Sequence, residues 1–428
     1  MLTAEENALL CRVEGEAPMG RLMRQHWVPA LLSEEVGESD GKPVRVRVLG
    51  ENLVAFRDSE GRIGVLEELC PHRRASLFYG RNEECGLRCL YHGWKMDVAG
   101  NVIEMSSEPP GSALKEKVKH KAYPAREAGG FVWIWMGAAE AMPEFEPPPF
   151  APSADTTISI LKVKVPCNWA QITEGQIDSA HSSSLHSSDM VPARIDTAGA
   201  TETNWLRPST DRSPRMQSER TSYGFRYVAI RRPIKNAATH DYIRMTVYVA
   251  PFISLIPPNS SYNIASVIVP IDDENSAFYF VAWGGVACPD TDTWRKFHSA
   301  RVDVDLDADY NPLRTLANDF RQDRQAMKAG NFTGIEGIPN QDMAMWTSMG
   351  RIVDRSKETL GASDLAIVEF RRLMIEAVRR VQAGGPAIGT TAPRIPQVEI
   401  ASYQGIVPKT TNWRELGSGA AAEAKKAS

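Results

Sequence analysis

Between Val44 and about Trp135 the chain alternates apolar and polar positions in short runs: PVRVRVLG, NLVAFRD, RIGVLEE and GFVWIWM. Gly, Asp, Asn and Pro separate the runs. Alternation with a period of two marks half-buried strands, so residues 41–145 are expected to form a small all-β domain. The proline-rich PEFEPPPFAPSAD, Pro143 to Asp155, predicts a hinge. Beyond it the pattern is mixed. TTISILKVKVP, TSYGFRYVAI, DYIRMTVYVA, YNIASVIVPI and SAFYFVAWG predict sheet strands. NPLRTLANDFRQDRQAMKAG and SDLAIVEFRRLMIEAVRRVQ predict helices, the second capped by Ser363 and stopped at Gly384-Gly385. CNWAQITEGQIDSAHSSSLH predicts a helix that frays. Residues 146–415 are therefore expected to form a second domain, and the whole chain to be α+β. Residues 1–40 start with a helical pattern (Ala8, Leu9, Val13) and are expected to pack on the second domain. Residues 416–428, ending GSGAAAEAKKAS, are expected to be a disordered tail.

The chain has 428 residues, 43% of them hydrophobic, ample for two cores. A net charge of −4 argues against a general nucleic-acid binder. The N-terminal stretch has no basic start, and no apolar run approaches the ~20 residues that span a bilayer. A soluble, cytoplasmic protein is expected. Six cysteines in this length are too few for a disulfide framework.

Two of those cysteines sit in CPHRRASLFYGRNEECGLRCLYHGW, as Cys70-x-His72, sixteen residues, then Cys89-x2-His92. A zinc finger usually takes its cysteines from one loop and its histidines from one helix. Here each loop offers one Cys and one His. That suits a Rieske 2Fe–2S centre, in which one iron takes two thiolates and the other two imidazoles. A structural zinc site is the competing reading, and Cys85 is the nearest rival ligand.

The second cluster is NWAQITEGQIDSAHSSSLH, with Glu174, Asp178, His181 and His186. On a helix Asp178 and His181 share a face, so Asp178 can accept a hydrogen bond from the His181 imidazole. His186 lies roughly 140° further round an ideal helix. Both histidines can reach one metal only if the helix loosens, which Ser182-Ser183-Ser184 permits. Two histidines and a carboxylate make a facial triad suited to non-haem Fe(II). The candidate third ligand is Asp342 in GIPNQDMAMW, with Asp178, Glu336 and Asp354 as rivals.

Cys70-x-His72-x16-Cys89-x2-His92 followed by Glu174-x3-Asp178-x2-His181-x4-His186 resembles the oxygenase component of the Rieske non-haem iron ring-hydroxylating oxygenases. ENALLCRVEGEAPMGRLMRQHWVPALL and IPNQDMAMWTSMGRIVDRSKETLGASD look most like the phthalate dioxygenase branch. The resemblance implies a Rieske domain beside a helix-grip catalytic domain with a curved antiparallel sheet. It implies iron held by His181, His186 and Asp342. It implies that Asp178 bridges to a Rieske histidine of a neighbouring subunit in a homotrimer or hexamer. It also implies an NADH-dependent flavin and iron–sulfur reductase as partner, and an aromatic acid and O2 as substrates.

A dianionic substrate in an apolar pocket needs buried cations, and arginine clamps carboxylates best. Arg244 alternates with apolar residues in DYIRMTVYVA, sharing a face with Tyr242, Thr246 and Tyr248. Arg207 follows an aromatic-apolar pair in NWLRPST. These two are the candidate carboxylate anchors, with Arg226, Arg231 and Arg232 as rivals and Ser179 as a further contact. The expected reaction is cis-dihydroxylation of phthalate. The alternatives are oxidation of a chlorobenzoate or sulfonate, O-demethylation of a methoxybenzoate, a Rieske electron carrier with a structural second domain, and a zinc hydrolase.

Overall fold

The computed structural model describes residues 1–201, 203–392 and 394–417. It divides into two compact units. One is Val13–Phe145; the other joins Met1–Arg12 to the chain from Glu146 onward.

The first unit is built from small antiparallel sheets. Val44–Val48, Glu51–Arg57 and Ile63–Glu67 form one, and Arg81–Glu83, Gly86–Arg88, Trp94–Met96 and Val102–Met105 form another. Their inward residues, among them Val54, Phe56, Leu66, Leu87 and Met96, make a core that also takes in Cys70 and Cys89. A third sheet pairs Trp27–Leu32 with Phe131–Trp135. This corrects the expectation that residues 1–40 act as one segment of the second domain. The RQHWVPALL stretch is committed to the first unit by its ladder to Phe131–Trp135. Only the helix α1, Ala4–Cys11, belongs with the second. It is tied there by Arg355 Nη1 donating to Asn7 Oδ1 at 2.9 Å and Asn168 Nδ2 donating to the Cys11 carbonyl at 2.9 Å.

The second unit centres on an eight-stranded antiparallel sheet. In chain order its strands are β1 Thr157–Val165, β2 Arg215–Arg220, β3 Gly224–Arg231, β4 His240–Val249, β5 Ile253–Ile256, β6 Asn263–Pro270, β7 Ser276–Gly284 and β8 Tyr403–Pro408. The spatial order is β1-β7-β6-β5-β4-β3-β2, and β8 pairs with the first half of β4 on the edge that β5 uses further along. The sheet is open, with no barrel closure. Helix α2, Trp169–Gln176, lies against β6 and against α3, Ile338–Ser348. The two helices approach closely because position 175 is glycine: a Cβ there would stand 2.2 Å from Trp346 Nε1. Asn168 caps α2 through Ala170 N–H at 3.0 Å.

Two local expectations are corrected. Ser363 does not cap the long helix α4, Leu365–Gln382; it lies in a 3-10 turn, Ala362–Asp364, closed by Gly361 N–H donating to Asp364 at 2.6 Å. The segment 311–330 is not one helix, because Asp319, Phe320 and Arg321 all take positive φ and only Arg324–Lys328 is α-helical. Of the expected tail 416–428, all but Leu416 and Gly417 lie outside the described residues. Among the described residues no helix is long and apolar enough to cross a membrane.

Candidate metal centres

In the first unit the two ligand loops repeat one backbone geometry. Cys70 N–H donates to the carbonyl of Ala75, and the Cys70 carbonyl accepts from Arg74 N–H, both at 2.9 Å. Cys89 N–H donates to Trp94 at 2.8 Å, and its carbonyl accepts from Gly93 N–H at 3.0 Å. The fourth residue after each cysteine has positive φ: Arg74 at 59° and Gly93 at 71°. Gly93 is required twice over, since a Cβ would also meet Ser106 Oγ at 2.8 Å. Each loop therefore aims its Cys and His inward without help from a helix.

The donor set fits a Rieske cluster. Cys70 and Cys89 are buried side by side. The hydrogen bond from Cys70 pulls the Cys89 thiol down to about 6 against its burial, with the N–H groups of Tyr91 and His92 assisting, and drives Cys70 up. The rings of His72 and His92 stand 4.4 Å apart, and His72 stacks on Trp94 at 4.6 Å. His92 Nδ1 is buried with no hydrogen-bond partner among the described residues, an orphan that a metal would satisfy. Cys85 sits in a turn with positive φ, outside this group, and its N–H is bonded to Ser59 Oγ.

In the second unit α2 ends at Gln176, and the chain turns through Ile177–Ala180 into a 3-10 turn, His181–Ser183. The loosening brings both histidines to one point. His181 Nε2 and His186 Nε2 are 3.1 Å apart, and Asp342 Oδ1 is 3.1 Å from His186 Nε2 and 3.5 Å from His181 Nε2. One ligand atom from each lies within 4.8 Å of the others. Two imidazole nitrogens and a carboxylate oxygen this close leave room for a common cation, and the set suits non-haem iron. The rivals are engaged elsewhere: Glu336 binds Arg314 at 2.7 Å, and Asp354 binds Ser356 and Lys357. Glu174 is not in this group, and its carboxylate is held by Arg355 and Arg371.

The surrounding bonds orient the ligands. Gln341 Oε1 lies 2.7 Å from His186 Nδ1, while Gln341 Nε2 donates to Asp189 Oδ2 at 2.8 Å and to the Ile335 carbonyl at 2.9 Å. With both amide protons spent, the oxygen must accept from His186, so Nδ1 carries the proton and Nε2 is free to ligate. Asp178 Oδ2 stands 3.5 Å from His181 Nδ1, and Oδ1 accepts from Ala180 N–H at 2.7 Å. Burial alone would push Asp178 up, but these hydrogen bonds hold it below the usual aspartate value. Gln341 was not singled out from the sequence; its only signal there is adjacency to Asp342.

The triad opens on a cavity. Phe278, Phe280, Ile256 and Pro257 give it apolar walls, and Ser179 and Arg244 contribute polar groups. Arg244 donates to Tyr242 Oη at 3.3 Å, to the Pro257 carbonyl at 3.0 Å and to Asn259 Oδ1, and meets no carboxylate among the described residues. Arg207 is buried just behind the wall, bonded to Ser182 Oγ at 2.9 Å and Ser183 Oγ at 3.1 Å. Arg226 and Arg232 are not part of the cavity wall; Arg226 pairs with Glu219 at 2.7 Å.

Residues 26–123 match the Rieske [2Fe-2S] domain family, and residues 134–428 match the LigXa C-terminal domain-like family. The chain is 64% identical to the phthalate 4,5-dioxygenase oxygenase subunit of Pseudomonas putida, over 97% of this chain and 94% of that one. It is 36% identical to the 3-chlorobenzoate-3,4-dioxygenase oxygenase subunit of Comamonas testosteroni, over 96% and 97%. The crystal structure of dicamba monooxygenase bound to dicamba shares the fold, with a TM-score of 0.56 at 16% identity over 85% of this chain and 99% of that one.

Proposed function

Because the chain belongs to the Rieske oxygenases, with a Rieske [2Fe-2S] domain followed by a LigXa-like C-terminal domain, we propose that it cis-dihydroxylates phthalate. It is the oxygenase component of an aromatic-ring dioxygenase, and its cofactors are a Rieske [2Fe-2S] cluster and a mononuclear non-haem iron. The observation that carries the substrate reading is Arg244, a buried guanidinium that meets no carboxylate among the described residues, in the wall of the cavity onto which His181, His186 and Asp342 converge.

Cys70, His72, Cys89 and His92 hold the cluster. His181, His186 and Asp342 hold the iron. When bound, these groups supply single electrons and activate dioxygen. The protein's own residues do the rest. Arg244 and Arg207 draw in the two carboxylates, with Ser179 as a further contact, and the apolar walls hold the ring and exclude water. Asp178 orients His181 and links it to a Rieske histidine of a neighbouring subunit in a homotrimer or hexamer. An NADH-dependent reductase in the cytoplasm supplies electrons. The ring takes up both atoms of O2 with two electrons and two protons, giving a cis-dihydrodiol.

The test is a single turnover. Iron-loaded protein is reduced without oxygen, mixed with phthalate, exposed to O2, and the product is weighed by mass spectrometry. Gain of two oxygens and two hydrogens is the expected result. No product from phthalate, with oxidation of a monocarboxylate or loss of a methyl group from a methoxybenzoate, overturns the substrate assignment.

A further inference from the structure

The sheet register puts a third arginine beside the cavity. Arg231 ends β3 opposite Tyr242 of β4, while Arg244 lies opposite Ala229. Residues two apart on a strand share a face. Arg231, Ala229 and Tyr227 therefore share the face of Tyr242, Arg244 and Thr246, and Tyr227, Arg244 and Thr246 line the cavity. Arg231 itself does not. It is 1% exposed and reaches the turn that carries His181. Its Nη2 donates to the Ser179 carbonyl at 2.6 Å, and its Nη1 to Ser179 Oγ at 3.2 Å. It also meets Ser183 Oγ at 3.5 Å, the hydroxyl that Arg207 binds at 3.1 Å.

Among the described residues none of Arg207, Arg231 and Arg244 has a carboxylate within salt-bridge distance, and the Nε atoms of Arg207 and Arg231 are buried without a partner. Asp211 acts on Arg231 only from beyond that range, and it accepts bonds from Arg232 N–H and Ser213 N–H. Burial and mutual repulsion among the three bring Arg207 down to about 9 and Arg231 to about 10. Three uncompensated guanidiniums cost the folded state heavily. A dianion entering the cavity relieves all three at once.

We propose that Arg231 is a positioning residue that never touches substrate, and that its charge, set behind the Ser179–Ser183 turn, makes the cavity select an aromatic dianion over a monoanion. The inference rests on the aromatic dicarboxylate reading above and adds the source of its charge selectivity.

Coulomb energy scales with ligand charge, and this separates a charge role from a clamp that only shapes the turn. Anaerobic holoprotein is titrated calorimetrically with phthalate, benzoate and dimethyl phthalate, as wild type, Arg231→Met and Arg231→Lys. Arg231→Met is expected to weaken phthalate about tenfold and benzoate about threefold, leaving dimethyl phthalate unchanged. Arg231→Lys keeps the charge, gives up the two-pronged bond to Ser179, and is expected to keep most of the phthalate-to-benzoate ratio. Equal weakening of all three ligands overturns the proposal. Should Arg231→Met fail to fold, the lysine variant decides: a ratio kept supports the charge role, and a ratio lost overturns it. A wild type that binds neither acid fails the substrate reading separately. Sulfate against chloride, titrated into the same proteins, then decides: greater loss for sulfate supports the role of Arg231, and equal loss overturns it.

Discussion

Gln341 Oε1 accepts the Nδ1 proton of His186 across 2.7 Å, and both protons of the same carboxamide are spent on Asp189 and Ile335. One side chain thereby fixes the tautomer and the ring angle of a proposed iron ligand. Partners of this kind are worth about 10–100-fold in metal affinity. Gln341→Leu should lower iron affinity by that factor, measured by chelator competition, and leave the visible absorption of the cluster intact. Unchanged iron retention would show that His186 is oriented by something else.

Asp178 Oδ2 stands 3.5 Å from His181 Nδ1. Asp178→Asn keeps the shape and removes the charge. Both metals should stay bound. Reoxidation of the reduced cluster by O2 in the presence of phthalate, followed by stopped flow, should slow by about 10–100-fold. Wild-type rates with both centres full would sink the bridging role.

The two centres were legible to different depths. The cluster loops are local: each hydrogen-bonds its cysteine's backbone within five residues, so Cys-x-His and Cys-x2-His carry nearly all of the geometry in the sequence. The triad is not local. His181 and His186 meet only because α2 ends early, and Asp342 arrives on another helix. The sequence could put it forward ahead of Asp178, Glu336 and Asp354, but spacing along the chain does not show that it meets the histidines. Arg231 was one of three rivals for the same reason. Alternation shows which residues of GFRYVAIR share a face, while only the pairing of β3 with β4 shows whose face it is. The RQHWVPALL strand was missed in kind, since its partner lies about a hundred residues away at Phe131–Trp135.

Arg244 lines the cavity, and among the described residues its guanidinium meets only neutral partners. A charge-assisted bond to a substrate carboxylate contributes about 1.5–3 kcal/mol. Arg244→Met should raise the phthalate KM about tenfold or more while iron content stays at wild-type level. A normal KM would move the carboxylate anchor to another residue.

Glu174, placed by its spacing among the iron-site residues, does structural work instead. Its carboxylate accepts from Arg355 Nε at 2.9 Å and Arg371 Nε at 2.7 Å, and Arg355 continues to Asn7 of α1. All three charges are buried. Arg371 also pairs with Glu358 at 2.6 Å, so removing the Glu174 charge strands Arg355, and breaking such a network from one side costs about 3–5 kcal/mol. Glu174→Gln should therefore lower Tm sharply at neutral pH, with α1 the first element to lose hydrogen-exchange protection. The sign with pH follows from the direction of the shift. Burial pushes the Glu174 carboxyl up, but Arg355 and Arg371 outweigh it and hold the group below its ordinary 4.5. Its stabilisation is complete above that value and is lost as the pH falls through the lower folded value. The gap in Tm between wild type and Glu174→Gln should be wide at pH 7 and narrow progressively below about pH 4.5. A gap that does not change with pH would mean that glutamine disturbs packing at this position rather than charge.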